Sequence, residues 1–516
     1  MRPRVLKLGT RRSVLARAQS GAVARELTAL HPGITVELVG IDTRGDRIPD
    51  RALSAVEGKE FFTAEIDTAL LEGAVDLSVH SYKDLSLERT ARLRLAAVPR
   101  REPPQDVVVF AADVPQRLAA GCELRIGTSS PRRMSFVPDT LVRLLPRANA
   151  TAPAPALRVV ELRGNVDSRL RRLHEPRGAA RQLDGIVLAF AGLARLWADP
   201  GGRALLEELF VPLPRMLLPL SACPAAPAQG ALGIECRAAD EDTVRLLAAL
   251  DHAPTRRAVE AERALLAERG GGCHQRFGAT QIEVSELGTL LYVREQGAEP
   301  ELRWTPMLPL EAPAGPVRAW DGSRAPRAGI EPLAGGIAAS LARLPHTAAL
   351  FIAHERALPE AALTCIPSST PLWVPGPATW QALAARGLWV QGCADGLGVT
   401  WLEPLLRQPL LQLPPLAQWT VLTHAQAADG WAAAQVIASY RHRLGSENSA
   451  AAAPPGDATH VYWHSSAQFE RWGERVGSQA QHACGPGKTY QHLSRARVQN
   501  LRMFPSAAQW RTWLAL

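Results

Sequence analysis

Lysine is nearly missing from this chain. Of its 58 basic residues, four are lysines (Lys7, Lys59, Lys83 and Lys488) and the remaining 54 are arginines. A GC-rich genome accounts for most of such a bias, but the physical consequence holds whatever its origin. Arginine presents a fixed planar fork of donors, stays charged at any relevant pH, and suits carboxylates and phosphates. Tyrosine is scarce at five residues, no arginine-rich run extends beyond a few positions, and no RNA- or DNA-binding motif occurs. Nucleic acid is therefore not the expected partner. No stretch reaches the ~18 apolar residues a membrane span needs, since the runs near Ile186 and Leu217 are broken by Pro, Gly or Arg. The seven cysteines are odd in number, scattered, and include no CxxC pair. That speaks against zinc sites and disulfide frameworks and fits a reducing cytoplasm. The segment Met1–Lys7 is too charged and too short for a secretory signal, and it runs directly into a strand pattern.

What is present is a globular composition: 47% apolar, 21% charged, net charge +8 over 516 residues. That length exceeds one ordinary core and suggests about two to four domains. The first 235 residues repeat one theme, in which a short apolar run ends in a small polar loop and a helix pattern follows. Val5–Leu8 leads into Gly9–Ser13, and a helix is expected over Val14–Leu30 with Ser13 as its N-cap. Asp76–Val79 leads into His80–Asp84. Leu124–Ile126 leads into Gly127–Ser130, with Pro131 at a first helical position. Val159–Leu162 leads into Arg163-Gly164-Asn165, and Ile186–Ala189 reads as a further buried strand. This alternation predicts an α/β fold with a parallel, doubly wound sheet, whose ligands bind beyond the carboxyl ends of the strands.

Beyond residue 235 the pattern changes. A helix over about Thr255–Arg269 ends in Gly270-Gly271-Gly272, and Cys273 follows at once. Strand patterns over Gln281–Arg294 and Glu301–Leu310, then a helix near Gly335–Leu344, suggest a small α+β domain. A second α/β series starts near Thr347, with a strand and helix expected over Trp419–Ala433 and a flexible linker over Ser446–Ala458.

The strand-end loops converge on one kind of ligand. They supply Arg11, Arg12, Arg132, Arg133, Arg163 and Arg169, with Ser13, Thr128, Ser129 and Ser130. Hydroxyls and backbone N–H groups at helix starts, backed by arginine forks, form an anion site. Six arginines exceed the needs of one phosphate and point to several carboxylates. Any single one of them reads better as solvated surface; it is the placement of all six at strand ends that argues for a site. Lys83-Asp84 sits at a strand end. Such pairs are commonplace surface ion pairs, yet an aspartate among arginines stays ionised and could stabilise a developing cation or move a proton. Cys273 follows three glycines, so it lies on a loop and not in a core. Arg269, His274 and Arg276 nearby favour its thiolate, which makes it a candidate nucleophile or attachment point.

At this point the motifs resemble a family. GTRRS at Gly9–Ser13, TRGD at Thr43–Asp46, VHSYKDL at Val79–Leu85, GTSSPRR at Gly127–Arg133, LRGNVDSRL at Leu162–Leu170, AQGALGIECR at Ala228–Arg237 and GGGCHQRFGA at Gly270–Ala279 are similar to hydroxymethylbilane synthase, also called porphobilinogen deaminase. The resemblance spans about residues 1–345. It implies linkage of four porphobilinogen molecules with release of ammonia at each step, to a product bearing eight carboxylates. It further implies a dipyrromethane cofactor held by Cys273 and a catalytic Asp84 with Lys83. Arg11, Ser13, Lys83, Ser129, Arg132, Arg133, Arg163 and Gly164 would bind the cofactor, and Arg11, Arg12, Phe62, Thr128, Arg163, Arg169 and Gln229 the substrate. The implied fold is two domains like periplasmic binding proteins, 1–104 with 210–237 and 105–209, plus a small domain 238–345 that carries the cysteine. A monomer is expected. The sequence departs from the family pattern at Glu60, at Ser86, at CPAAPA before Gln229, and over Phe136–Leu157, which reads as a longer surface loop. A non-catalytic binder of polycarboxylates is the alternative; it would need neither Cys273 nor Asp84.

The C-terminal part, 346–516, resembles uroporphyrinogen-III synthase. VPGPATWQALAARGL at Val374–Leu388 and ACGPGKTYQHLSRA at Ala483–Ala496 share one form, each after a strand and helix. By that resemblance Tyr440 assists loss of the bilane hydroxyl, while Ser465, Ser466 and Thr489 face the same site. The family's opening strand–helix unit is absent, so two readings stand here: an active cyclising domain, or a degenerate one that packs or mediates association.

Overall fold

The computed structural model describes residues 4–43, 63–149, 151–271, 275–313, 315–322, 329–333, 335–345, 348–429, 431, 433, 435–443 and 453–515. Phe62, Glu60 and Cys273 lie outside the described residues, as do residues 44–46 of the TRGD block and most of the expected linker. The chain divides into two units, Met1–Gln281 with Leu291–Leu302, and Ile282–Leu290 with Arg303–Leu516.

The first unit contains β1 (Arg4–Arg11), β2 (Ile34–Ile41), β3 (Leu77–Ser81), β4 (Leu93–Ala97), β5 (Asp106–Phe110), β6 (Leu124–Thr128), β7 (Leu157–Glu161), β8 (Gly185–Ala189), β9 (Arg215–Leu217) and β10 (Leu232–Arg237). They form two five-stranded sheets, β2-β1-β3-β10-β4 and β7-β6-β8-β5-β9. β1 runs parallel to β2 and β3, and β6 parallel to β7 and β8. The expectation of purely parallel sheets needs correction. β10 is antiparallel to β3 and β4, and β5 is antiparallel to β8 and β9. Each is the strand by which the chain has just crossed from the other sheet, so it enters from the opposite direction. The second crossing also falls later than residue 210, because β9 hydrogen-bonds to β5 and only residues beyond Leu217 return to the first sheet.

Local chemistry explains the elements. Val14–Leu30 is helical as expected, with the Ser13 hydroxyl accepting from the Ala16 N–H at 3.3 Å. Its Ala18, Val23 and Leu27 are buried, and Val23 and Leu27 join Leu6, Leu8 and Leu77 in the first core. Each fully buried leucine contributes about 1.5–3 kcal/mol. Leu247 and Leu250 belong to that same core, so residues just past 237 complete the first lobe before the helix Ala253–Ala267 begins. The helix Pro131–Leu144 starts at Pro131 with Ser130 as its N-cap. It overturns the long-loop expectation for Phe136–Leu157: Phe136, Val137, Leu141 and Leu144 are buried on it despite the internal Pro138, which leaves only 145–156 outside regular structure. β11 (Phe277–Val284), β12 (Gly288–Glu295) and β13 (Glu301–Pro306) form a three-stranded sheet.

The second unit holds β14 (Ala319–Trp320), β15 (Ile330–Pro332), β16 (Leu350–Ile352), β17 (Leu372–Val374), β18 (Gly392–Cys393), β19 (Thr420–His424), β20 (Gln435–His442), β21 (His460–Trp463), β22 (Gln481–Cys484) and β23 (Leu501–Met503). Its sheets are β15-β20-β19-β16-β17-β18 and β14-β21-β22-β23. All their pairings are parallel except β15 on β20. β14 and β15 precede residue 346, so the α/β series recruits two edge strands from the stretch grouped by sequence with the cysteine-carrying domain. In place of the helix expected after Trp419, β19 leads into a single 3-10 turn, Ala425–Ala427. No described helix is long and apolar enough to cross a membrane.

Candidate active site

The polar loops of the first unit meet at one edge, where β1, β3, β6 and β7 end and the antiparallel β5 and β10 begin. Lys83 and Asp84 lie in the 3-10 turn Tyr82–Asp84 directly after β3. The Asp84 side is exposed and Lys83 is half-buried. Lys83 Nζ donates to Gln229 Oε1 at 3.3 Å. Burial, reinforced by Arg133 and Arg132, lowers the Lys83 ammonium below its ordinary 10.5, against the opposing pull of Asp84 and Asp106. Behind the turn, Arg263 lies over the Tyr82 ring at 4.5 Å and donates to the carbonyls of Tyr82, Leu85 and Ser86. The turn is thereby clamped to the helix Ala253–Ala267.

Arg132 and Arg133 are not the open carboxylate forks that the sequence suggests. Both are buried at the start of the helix Pro131–Leu144 and share one carboxylate, Asp106. Arg132 Nη2 donates to Asp106 Oδ2 at 2.7 Å and its Nη1 to the Pro224 carbonyl at 2.8 Å. Arg133 donates to Asp106 Oδ1 from Nε at 3.1 Å and Nη2 at 2.8 Å, and to the Val187 carbonyl from Nη1. Removing one member of such a buried group costs about 3–5 kcal/mol, because a charge is left unpaired. Gln229 likewise has no free face: it is 1% exposed, and its Nε2 donates to the Pro104 carbonyl and to Asp106 Oδ1.

Arg163 and Arg169 are better placed to meet a ligand. Arg169 Nη2 donates to Ser129 Oγ at 3.3 Å and its Nε to the Gly164 carbonyl at 2.7 Å. Burial, with Arg133 and Arg163 nearby, lowers it to about 10. Arg163 Nε pairs with Glu161 at 2.9 Å, while its buried Nη2 has no hydrogen-bond partner among the described residues. Gly164 carries this turn at φ +105, and a Cβ there would sit 2.5 Å from Ser168 Oγ. Thr128 is fully buried and accepts from the Ser130 N–H at 3.2 Å. Arg11 ends β1 and bears on His80, whose pKa falls to about 4 chiefly through burial. Arg12 stands apart, exposed and paired with Asp42 at 2.9 Å. The structure thus joins Lys83, Arg132, Arg133 and Gln229 around Asp106, and Arg163 and Arg169 beside Ser129.

Three residues escaped the sequence reading. Asp106 stands inside an apolar strand start, and Glu262, which holds Arg101 at 2.6 Å, sits mid-helix. Gln19 donates to Ser81 Oγ at 3.2 Å. Their only signal is a polar residue at a position that packing demands be buried. The nearby group Asp67, His80 and Glu235 has metal-ligand chemistry, but Arg89 fills its centre, donating to Asp67 at 2.8 Å and to Glu235 at 2.6 Å.

The flank of residues 272–274 packs near the segment of the Lys83-Asp84 turn. Gly271 packs so closely on Leu87 that a Cβ would lie 2.7 Å from its Cδ1, and Gln275 Nε2 reaches back to the Gly271 carbonyl. The residues flanking 272–274 therefore adjoin the segment that carries Asp84. The unpaired Arg163 Nη2 supplies a donor for a carboxylate.

In the second unit, Tyr440 on β20 is 3% exposed, and burial raises its phenol to about 12. Its ring packs on His424 at 5.6 Å and His442 at 5.3 Å. Ser465 caps the helix Ser466–Trp472 by accepting from the Gln468 N–H, and Thr489 lies in the first turn of Lys488–Arg495. Among the described residues neither hydrogen-bonds Tyr440.

Comparison with known proteins agrees with the first unit. A family profile for the porphobilinogen deaminase dipyromethane cofactor binding domain matches residues 6–245. A porphobilinogen deaminase of Roseiflexus sp. is 43% identical over 55% of this chain and 83% of its own length. That of Sphingopyxis alaskensis is 44% identical over 53% of this chain and 78% of its own. Among solved structures, the methionine-binding protein MetQ covers 52% of this chain and 96% of its own at 13% identity, with a TM-score of 0.27 that supports no argument. With its strand-end arginines, its Lys83-Asp84 turn and relatives this similar over most of their length, the chain belongs to the porphobilinogen deaminase family.

Proposed function

We propose that the first unit joins four porphobilinogen molecules into hydroxymethylbilane, within tetrapyrrole biosynthesis, using a dipyrromethane attached to Cys273. The observation that carries this reading is the convergence of Lys83-Asp84 with the arginines of two sheets at one edge, beside the flanks of residue 273. The dipyrromethane supplies the covalent anchor and the terminal pyrrole on which growth begins. The chain's own residues do the rest. Arg163 and Arg169 hold acetate and propionate groups through charge-assisted hydrogen bonds. The exposed Asp84 carboxylate, in the turn after β3, would stabilise positive charge on a bound pyrrole. The Cys273 thiolate is a soft nucleophile suited to thioether formation. Intact-mass analysis tests the attachment: an excess equal to two linked pyrroles, mapped to Cys273, is expected, and a bare thiol in active protein overturns it.

For the second unit we propose closure of the bilane to uroporphyrinogen III. Tyr440, at the end of a parallel strand between two imidazoles, supports this, since a phenol can protonate a departing hydroxyl. Porphobilinogen supplied to the full chain should yield type III porphyrin. Type I product alone would favour the other reading, a packing or association domain.

A further inference from the structure

Asp106 lies where the two crossings between the sheets meet. It opens β5 just after the first crossing, and it is bonded to Gln229 in the second. Its carboxylate is 0% exposed and takes four hydrogen bonds: one from Arg132, two from Arg133 and one from Gln229. The other end of the Gln229 amide accepts from Lys83 Nζ at 3.3 Å and from Arg133 Nη2 at 3.4 Å. A continuous chain therefore runs from Lys83, beside Asp84, through Gln229 to Asp106 and on to the two arginines.

We infer that Asp106 is a positioning residue for the deaminase reaction: its buried carboxylate sets the net charge of the carboxylate-binding cluster and ties that cluster to the Lys83-Asp84 turn. Counted over the groups bonded to Asp106 directly or through Gln229, three cations (Lys83, Arg132 and Arg133) face one anion, a net charge of +2, and Asp84 beside Lys83 adds one negative charge at the turn. That surplus attracts a polycarboxylate without holding it irreversibly. Asp106 also consumes the fork of Arg133, so that this side chain braces the site, while Arg163 and Arg169 keep donors for the ligand. Burial alone would push the Asp106 carboxyl up, but Arg132, Arg133 and the Arg133 and Gln229 hydrogen bonds hold it below the usual carboxylate range. It is therefore an anion at any working pH.

The inference rests on the deaminase reading, and the test separates the two. Asp106→Asn raises the cluster to +3; Gln229→Glu, read at about pH 9 so that the new carboxyl beside Asp106 ionises, lowers it to +1; and the double variant restores +2 with the negative charge moved to position 229. Each full-length protein is titrated calorimetrically with citrate, a tricarboxylate, and assayed with porphobilinogen. In Asp106→Asn, citrate Kd and KM should fall about threefold or more, while kcat falls about tenfold as Arg133 loses its brace. In Gln229→Glu both constants should rise by about threefold, and in the double variant both should return to within about twofold of the parent. A merely structural role predicts no such opposite signs and no rescue. Citrate affinity that is unchanged or weaker in Asp106→Asn overturns the inference. Should that variant not fold, Gln229→Glu decides alone, and unchanged citrate affinity there overturns it. If the citrate pattern appears but the parent protein consumes no porphobilinogen, the deaminase reading fails and the charge-setting role stands.

Discussion

The two units build their interiors from different materials. In the first, arginines paired to buried carboxylates are the organising residues: Arg132 and Arg133 on Asp106, Arg101 on Glu262, Arg89 between Asp67 and Glu235. In the second, neutral rings take that place. Twelve of the 13 tryptophans lie there, and Trp373, Trp380, Trp419, Trp463 and Trp510 are fully buried, with imidazoles packed among such rings, as His482 on Trp463. A charge-built interior leaves cations at its edge to meet carboxylates. A ring-built interior lowers the affinity of His424, His442, His460, His464 and His482 for protons and raises that of the Tyr440 phenol, in each case chiefly by burial. The two chemistries proposed here, gripping a polyanion and protonating a leaving hydroxyl, each follow from the interior beneath them.

The comparison breaks most readily at Asp84. Asp84→Ala should lower kcat about 10³-fold. Because Asp84 is exposed, the unfolding free energy should stay within about 0.5 kcal/mol of the parent, with a nearly unchanged thermal midpoint. Retained turnover would remove the catalytic carboxylate from the first unit. Next, Tyr440→Phe should cut cyclisation about 10²-fold and shift product to the type I isomer without changing porphobilinogen consumption; an unaltered isomer ratio would leave the second unit without its acid. A smaller effect is expected of Arg163→Ala, whose Nη2 is free for ligand: KM should rise about tenfold with kcat little changed. Steady-state kinetics that show the reverse would make Arg163 a brace like Arg133.

The smallest effect concerns pH. Burial lowers His424, His442 (to about 4), His460, His464 and His482 below the ordinary 6.5. The unfolded chain therefore takes up protons first as pH falls through 6.5, and the second unit loses stability on acidification. Tryptophan fluorescence, which reports almost wholly on that unit, should show its melting midpoint drop by about 5 °C or more between pH 7 and pH 5. A flat midpoint would mean those imidazoles are not held neutral by the fold.

Much of this is legible in the chain alone. Periodicity and caps gave the helix Val14–Leu30 and the strand–loop–helix units that carry Lys83, Ser129 and Arg163, because such signals are local. The crossings were not legible. Nothing local says that β5 and β10 run antiparallel or that β9 pairs with β5. The segment Phe136–Leu157 misled because proline and alanine suggest a loop, whereas Phe136, Val137 and Leu141 find a core that holds the helix past Pro138. β14 and β15 escaped because two- and three-residue edge strands carry no period of their own.

By itself, then, the sequence determined which residues are available to bind and react, since the motifs with Asp84, Arg163 and Cys273 are contiguous and their order is covalent. Only the tertiary structure decided which arginines are free. Arg132 and Arg133 look the same as Arg163 and Arg169 when read along the chain. Whether a guanidinium meets a ligand or a buried aspartate depends on a partner 26 or 27 residues away across the sheet, and burial fixes that choice, because an unpaired charge there is too costly to leave.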